Sequence, residues 1–269
     1  MPFNLGPRAT SLGYRLAVFD QTGSTNAEAM ARAREGERGP MWFVTTEQTA
    51  GRGRRNRAWI APRGNLASSI LEVMDTTPQA AATLGFAAGL AVQRALRDAC
   101  AEASQSNGHS RVDFLLKWPN DVLAEGKKCV GINLEAETVG GERFAIVVGI
   151  GTNVVGAPDG TPTPAVSLAD LGYQVTAEEL FTPLSDAWAE FRGIWDYGRG
   201  FAELRKTWLA GAMGLGEPVA IRSGNVTIEG IFETLDEQGC MIVRTPEGRR
   251  IPITAGDVHF GSVASARAT

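Results

Sequence analysis

Apolar residues along this chain follow two spacings, and each change of spacing predicts where a strand gives way to a helix. LAVF at 16–19 predicts a short strand. The turn-like QTGSTN follows, in which Ser24, Thr25 or Asn26 is suited to cap a helix from about Ala27 to Arg34. Glycines and charges over 35–39 end that helix. WFVTTEQ (42–48) and NLASSILEV (65–73) read as strands on either side of a Gly/Arg loop, GRGRRNR (51–57). An Ala/Leu-rich stretch from Pro78 to Ala103 predicts one long buried helix, and SQSNGHSR (104–111) a polar loop. Over 114–154, apolar runs split by AEG and VGG predict a meander of three strands. PDGTPTP (158–164) reads as a loop. Helices are predicted over 176–197 and 199–211, with Phe181, Leu184, Trp188, Phe191 and Trp195 spaced to face a core. Past Gly214 the pattern changes to short strands (VAIR, VTIEGIFETL, CMIVRT, RRIPI) split by SGN, DEQG and PEG, which predicts a small antiparallel barrel. The expected fold is α+β: a mixed sheet flanked by helices over residues 1–213, then a small β-barrel over 214–269.

Composition narrows the class. With 43% apolar and 21% charged residues in 269, the chain can bury a sizeable core. A net charge of −4 excludes a general polyanion binder, so any basic patch is local. Cys100, Cys129 and Cys240 lie far apart, with no CxxC pair, which fits neither a disulfide framework nor a zinc site. The N-terminus has no apolar core of signal-peptide length, and no run reaches the roughly 18 apolar residues of a membrane span. A cytoplasmic protein is expected.

Three segments concentrate chemistry. In TAGRGRRNRAW (49–59), Gly51 and Gly53 let the backbone approach a ligand, while Arg52, Arg54, Arg55 and Arg57 place four cations in close succession. Guanidinium forks suit phosphates and carboxylates, although a solvated basic turn or a nucleic-acid contact would have the same composition. The spacing is not that of a Walker loop. In LLKWPNDV (115–122), Lys117 interrupts an apolar strand and Asn120 and Asp121 follow at the break. Asp121 is expected to pair with Lys117 or a loop arginine; a structural ion pair at a strand end is the plainer alternative. In KKCVGINLE (127–135), Lys128 and Gly131 share a strand, which reads equally as a ligand site or a lysine pair beside a hairpin. GSTN (23–26) and GIGTN (149–153) are shorter signals, each as easily a cap and a turn.

Taken in this order, the five segments resemble the signatures of the biotin–protein ligases: an STN turn, a GRGRRGRxW loop, KWPND, a KxxGIL strand and a G(I/A)GxN turn. The match covers about residues 16–154, and the C-terminal barrel agrees with the SH3-like domain of that family. The resemblance implies a class II synthetase-like catalytic domain that joins biotin to AMP from MgATP and then transfers it to a lysine of a carboxylase carrier domain. It implies Lys128, Arg54, Asp121 and Lys117 as catalytic residues. For biotin it implies Ser24, Thr25, Asn26, Gln48, Gly51, Arg52, Gly131, Asn133 and Gly149, again with Arg54 and Lys128. For ATP it implies Arg54, Arg55, Arg57, Trp59, Asn120, Lys128 and Asn153. No side chain is assigned to Mg2+.

Two departures stand out. Only 23 residues precede Ser24, too few for the DNA-binding domain many relatives carry, so no repressor role and no nucleic-acid partner are expected; a homodimer stays open. Members of the family usually carry Leu where this chain has Asn133, and a buried Asn left unpaired costs roughly 1–3 kcal/mol. It could bond biotin, bond a neighbour or alter acyl specificity. A lipoate–protein ligase is the nearest rival, but the Gly-Gly-Gly loop of that type is missing. An octanoyltransferase would often use a cysteine nucleophile, and Cys129 reads as packed. A nucleic-acid module would bind with strong salt dependence and leave KWPND unexplained.

Overall fold

A computed structural model describes residues 2–54, 57–107, 112–141, 143–161, 163–223 and 226–260. Twelve strands and six helices are present among them: α1 (Pro7–Ser11), β1 (Arg15–Phe19), α2 (Thr25–Arg34), β2 (Met41–Thr45), β3 (Leu66–Met74), α3 (Pro78–Ala82), α4 (Leu84–Asn107), β4 (Phe114–Lys117), β5 (Asp121–Ala124), β6 (Lys127–Thr138), β7 (Phe144–Thr152), α5 (Ala177–Trp195), α6 (Phe201–Ala210), β8 (Pro218–Ser223), β9 (Val226–Leu235), β10 (Met241–Arg244), β11 (Arg250–Ile253) and β12 (Asp257–Phe260).

The first seven strands form one sheet in the order β1-β2-β3-β7-β6-β5-β4, parallel only between β1 and β2. Alternation assigns each strand residue to a face. On one face Trp42, Val44, Ile70, Ile132, Ile146, Val148 and Ile150 join the main core, roofed by α4 and α5. The alanines of α4 (Ala87, Ala88, Ala91, Ala95) are fully buried, and their small side chains allow close packing. Trp42 meets Phe181 and Trp188 of α5 edge-on, at 5.4 and 6.2 Å between centroids. A capping box starts α5: Thr176 Oγ1 accepts from Glu179 N, and the Glu179 carboxylate accepts from Thr176 N. On the other face α2 covers the sheet over Phe43, Leu71, Ala145 and Val147. Beyond the N-terminus of α2 that face carries Ala67, Ser69, Gly149, Gly151 and Gly131, and a hollow remains.

The last five strands make an antiparallel sheet, β11-β10-β9-β8-β12. Its core residues Val219, Ile221, Phe232 and Met241 belong to the same hydrophobic cluster as α4 and α5. Trp118 Nε1 donates to Gly239 O at 3.0 Å, which ties the turn after β4 to this sheet.

Several sequence expectations need correction. The meander over 114–154 has four strands: WPND is a hairpin turn between β4 and β5, with Lys117 opposite Asp121. The long helix is two, broken at Thr83, whose Oγ1 donates to Ala80 O. It continues through Asn107, so 104–107 are helical, while 108–111 lie outside the described residues. The second strand stops at Thr45. Helix α1 and strand β12 had not been expected. Among the described residues, no helix is long and apolar enough to cross a membrane.

Candidate active site

The hollow on the α2 face is a cavity of about 910 Å³, and nearly every predicted site residue lines it. Ser24, Thr25, Asn26 and Gln48 do so at one end. Lys117, Asn120, Asp121, Lys128, Arg52, Arg54 and Arg57 bring charge, and Gly131, Asn133, Gly149, Asn153 and Trp59 complete the set. Gly51 stands behind the lining. A Cβ there would lie 2.5 Å from Trp59 O, so the loop can fold back on itself only because this residue is bare. Trp59 N donates to Gly51 O and Gly53 N to Arg57 O, which closes the arginine loop into a hairpin. Arg55 lies outside the described residues.

At the neutral end, helix α2 is capped unconventionally. Ser24 occupies the N-cap position, but its side chain makes no cap hydrogen bond and lines the cavity. Gln48 Oε1 takes over, accepting from Thr25 N at 2.8 Å and from Thr25 Oγ1 at 3.1 Å. Ser69 Oγ lies 2.7 Å from Thr25 Oγ1 and 2.6 Å from Asn26 Oδ1. Asn26 Nδ2 and Asn133 Nδ2 both donate to Glu135 Oε1, at 2.8 and 3.0 Å. Gly149 makes this possible, since a Cβ there would come within 2.2 Å of Asn26 Oδ1.

At the charged end, Asp121 meets Lys128: Nζ and Oδ1 are 2.7 Å apart, with side chains only 25% and 16% exposed. The sequence points to Lys117, which stands opposite Asp121 in register, or to a loop arginine; the ion pair seen is with Lys128. Register explains the pairing. Asp121 faces Gly131 across the β5–β6 pair, and a Cβ on Gly131 would lie 3.2 Å from Lys128 Nζ and Cε. The lysine therefore lies over the bare glycine to reach the next strand. Trp59 lies on the same floor, in van der Waals contact range of Gly131 and Gly151, with Lys128 Nζ 5.5 Å from its ring. Arg54 Nη1 donates to Asn120 Oδ1 at 2.9 Å, and Asn120 Nδ2 donates to Ile132 O, so the loop is pinned to the WPND turn. Asn153 is buried with Nδ2 donating to Lys128 O and Val166 O, and no described residue donates to its Oδ1.

Cys129 is packed away from the cavity, and burial pushes its thiol up, which disfavours a thiolate nucleophile. Sequence reasoning missed Glu135, Gly151, Ala67 and Ser69, although period-two alternation along β3, β6 and β7 would have found them. It also missed Arg222, Gly256, Val258 and His259, which reach the cavity from the second sheet and carry no local signal.

Residues 18–153 match the Biotin/lipoate A/B protein ligase family and 214–261 the Biotin protein ligase C terminal domain. A biotin--[acetyl-CoA-carboxylase] ligase of Paracoccus denitrificans is 42% identical over 91% of this chain and all of its own. That of Mycobacterium tuberculosis is 35% identical over 91% of this chain and 89% of its own. Among solved structures, the biotin protein ligase of Aquifex aeolicus in complex with biotin and ATP superposes with a TM-score of 0.70 at 25% identity, covering 92% of this chain and 99% of that one. This chain belongs to the biotin/lipoate A/B protein ligase family, with the biotin protein ligases.

Proposed function

We propose that the chain activates biotin with MgATP to biotinyl-5′-AMP and transfers the biotinyl group to a lysine of a carboxylase carrier domain. One observation carries this reading: a single cavity with a cationic end, a neutral hydrogen-bonding end and a floor of glycines between them. A small acid with a polar head fits along that floor, with its carboxylate toward the cations. A lipoyl dithiolane offers the neutral end no N–H donor, so that end favours biotin.

In the first step a carboxylate oxygen of biotin bonds to the α-phosphorus of ATP, and the bond to pyrophosphate breaks. Two anions must meet. Lys128, Arg54, Arg52, Arg57 and Lys117 supply positive charge where this repulsion is greatest. Asp121 holds Lys128 across Gly131, and Asn120 holds Arg54, so these two cations are positioned before substrate arrives. Ser24, Thr25, Asn26, Gln48 and Asn133 take the ureido head, while bare Gly51 lets the arginine loop fold back and Gly131 and Gly149 make room for the Lys128, Trp59 and Asn26 side chains that shape the site. Arg55, Trp59 and Asn153 serve the nucleotide side. Mg2+ would be held by phosphate oxygens and waters and needs few protein carboxylates.

In the second step an acceptor amine bonds to the acyl carbon and AMP leaves. Free lysine has a pKa of about 10.4, so the amine must first lose a proton. Asp121 orients the incoming ammonium and takes that proton. The division at 213/214 is part of the same proposal, with the second sheet closing the cavity through Arg222 and His259. Three free cysteines support a cytoplasmic setting.

The test is pyrophosphate release with MgATP and, separately, biotin, lipoate or octanoate. Biotin-dependent release with biotinyl-AMP identified by mass supports the reading. Release with lipoate alone overturns it.

A further inference from the structure

Asn133 stands on the cavity face of β6, opposite Gly149 in register. Its surroundings fix the direction of its carboxamide. A carboxylate oxygen only accepts, so Glu135 Oε1 must face an N–H of each neighbour. Asn26 is fixed twice: Nδ2 donates to Glu135 and Oδ1 lies 2.6 Å from the Ser69 hydroxyl. Asn133 is fixed once, through Nδ2 to Glu135 at 3.0 Å. Its Oδ1 receives no hydrogen bond from any described residue, and the residue is half-buried against the cavity.

From this chain of contacts we infer that Asn133 is a specificity-determining residue whose Oδ1 accepts a hydrogen bond from one ureido N–H of biotin. The inference rests on the biotin-activating reading above and deepens it. The Ser69–Asn26–Glu135–Asn133 chain holds the acceptor ready, because Asn133 cannot turn its amide without presenting an oxygen to a carboxylate. A directed acceptor discriminates far better than an apolar wall: an acid without the N–H leaves Oδ1 unpaired in a half-buried site. Leu in this place would line the pocket with no preference for a urea head.

The test is calorimetric titration of the full chain, native and N133L, with biotin and with its two derivatives methylated on one or the other ureido nitrogen. N133A, which is smaller and cannot clash, accompanies N133L, and thermal melts establish that each variant is folded. The expected result has two parts. Both variants bind biotin at least about tenfold more weakly than the native chain. For one methylated derivative, which the native chain already binds weakly, native and variant affinities agree within about twofold. Equal losses for all three ligands would mean a structural role and overturn the inference, as would variants that bind biotin like the native chain. If neither variant folds, the native chain decides: equal affinity for biotin and both derivatives sinks the assignment. Native protein that neither binds biotin nor forms its adenylate removes the functional reading itself; native activity with unaltered N133 variants removes only Asn133.

Discussion

The two faces of the seven-stranded sheet use the same strands for opposite ends. On β6 and β7, Ile132, Ile146, Val148 and Ile150 belong to the main core beneath α4 and α5. Their neighbours Gly131, Asn133, Gly149 and Gly151 point the other way and leave space open. The site is thus made by omission at every second residue. A strand that is anchored on one face can afford bare positions on the other, and the lysine, asparagine and indole side chains lie across them.

The comparison breaks if a change on the filled face harms catalysis more than stability. Ile146→Ala, fully buried and remote from the cavity, is expected to cost about 2–5 kcal/mol of stability with the KM for biotin unchanged, measured by denaturant melts and kinetics. The hollow face should behave in reverse. Lys128→Ala is expected to slow biotin-dependent pyrophosphate release by about 10²–10³, read in single turnovers, while melting stays close to native. Asp121→Ala tests both roles: adenylate forms more slowly because Lys128 loses its tether, and transfer of preformed adenylate to a carrier domain slows separately, by at least about tenfold. Unchanged transfer would leave Asp121 only its role toward Lys128. Gly149→Ala puts a methyl into Asn26, so KM for biotin should rise by about tenfold while kcat holds. The smallest effect is expected at the edge of the sheet, on β1 and away from the cavity. Arg15 donates to Glu37 Oε2 at 2.8 Å and holds that carboxyl down at about 2. Because the folded value is depressed, the pair's contribution is complete above the ordinary value near 4.5 and disappears as pH falls toward 2. Glu37→Gln should flatten the acid limb of the melting curve by only a degree or so, since the pair is exposed to solvent, and leave activity intact.

Much of the site was legible because its residues are unusual in place. Four arginines in one loop, a lysine ending an apolar strand and glycines at the strand ends all contradict plain packing, and that conflict marks them. Pairings were less legible. Asp121 meets Lys128 through a register that carries a bulge between Val122 and Leu123, and local sequence does not encode cross-strand register. WPND read as a break in one strand because the apolar residues on both sides belong to adjacent strands of one hairpin. Arg222 and His259 left no trace, since their approach depends on how two sheets dock.

That docking has a consequence for engineering. Trp118 follows Lys117 in the chain and stands two residues before Asn120, yet the hydrogen-bond acceptor of its indole, Gly239 O, is in the C-terminal module. Gly239 in turn is bare because Phe86 and Phe201 occupy the room a side chain would need. Removing the C-terminal module would therefore strip a fastening from the catalytic hairpin itself. A chimera with a relative's module must bring a carbonyl to the same indole, or the graft will loosen the enzyme's centre from a distance.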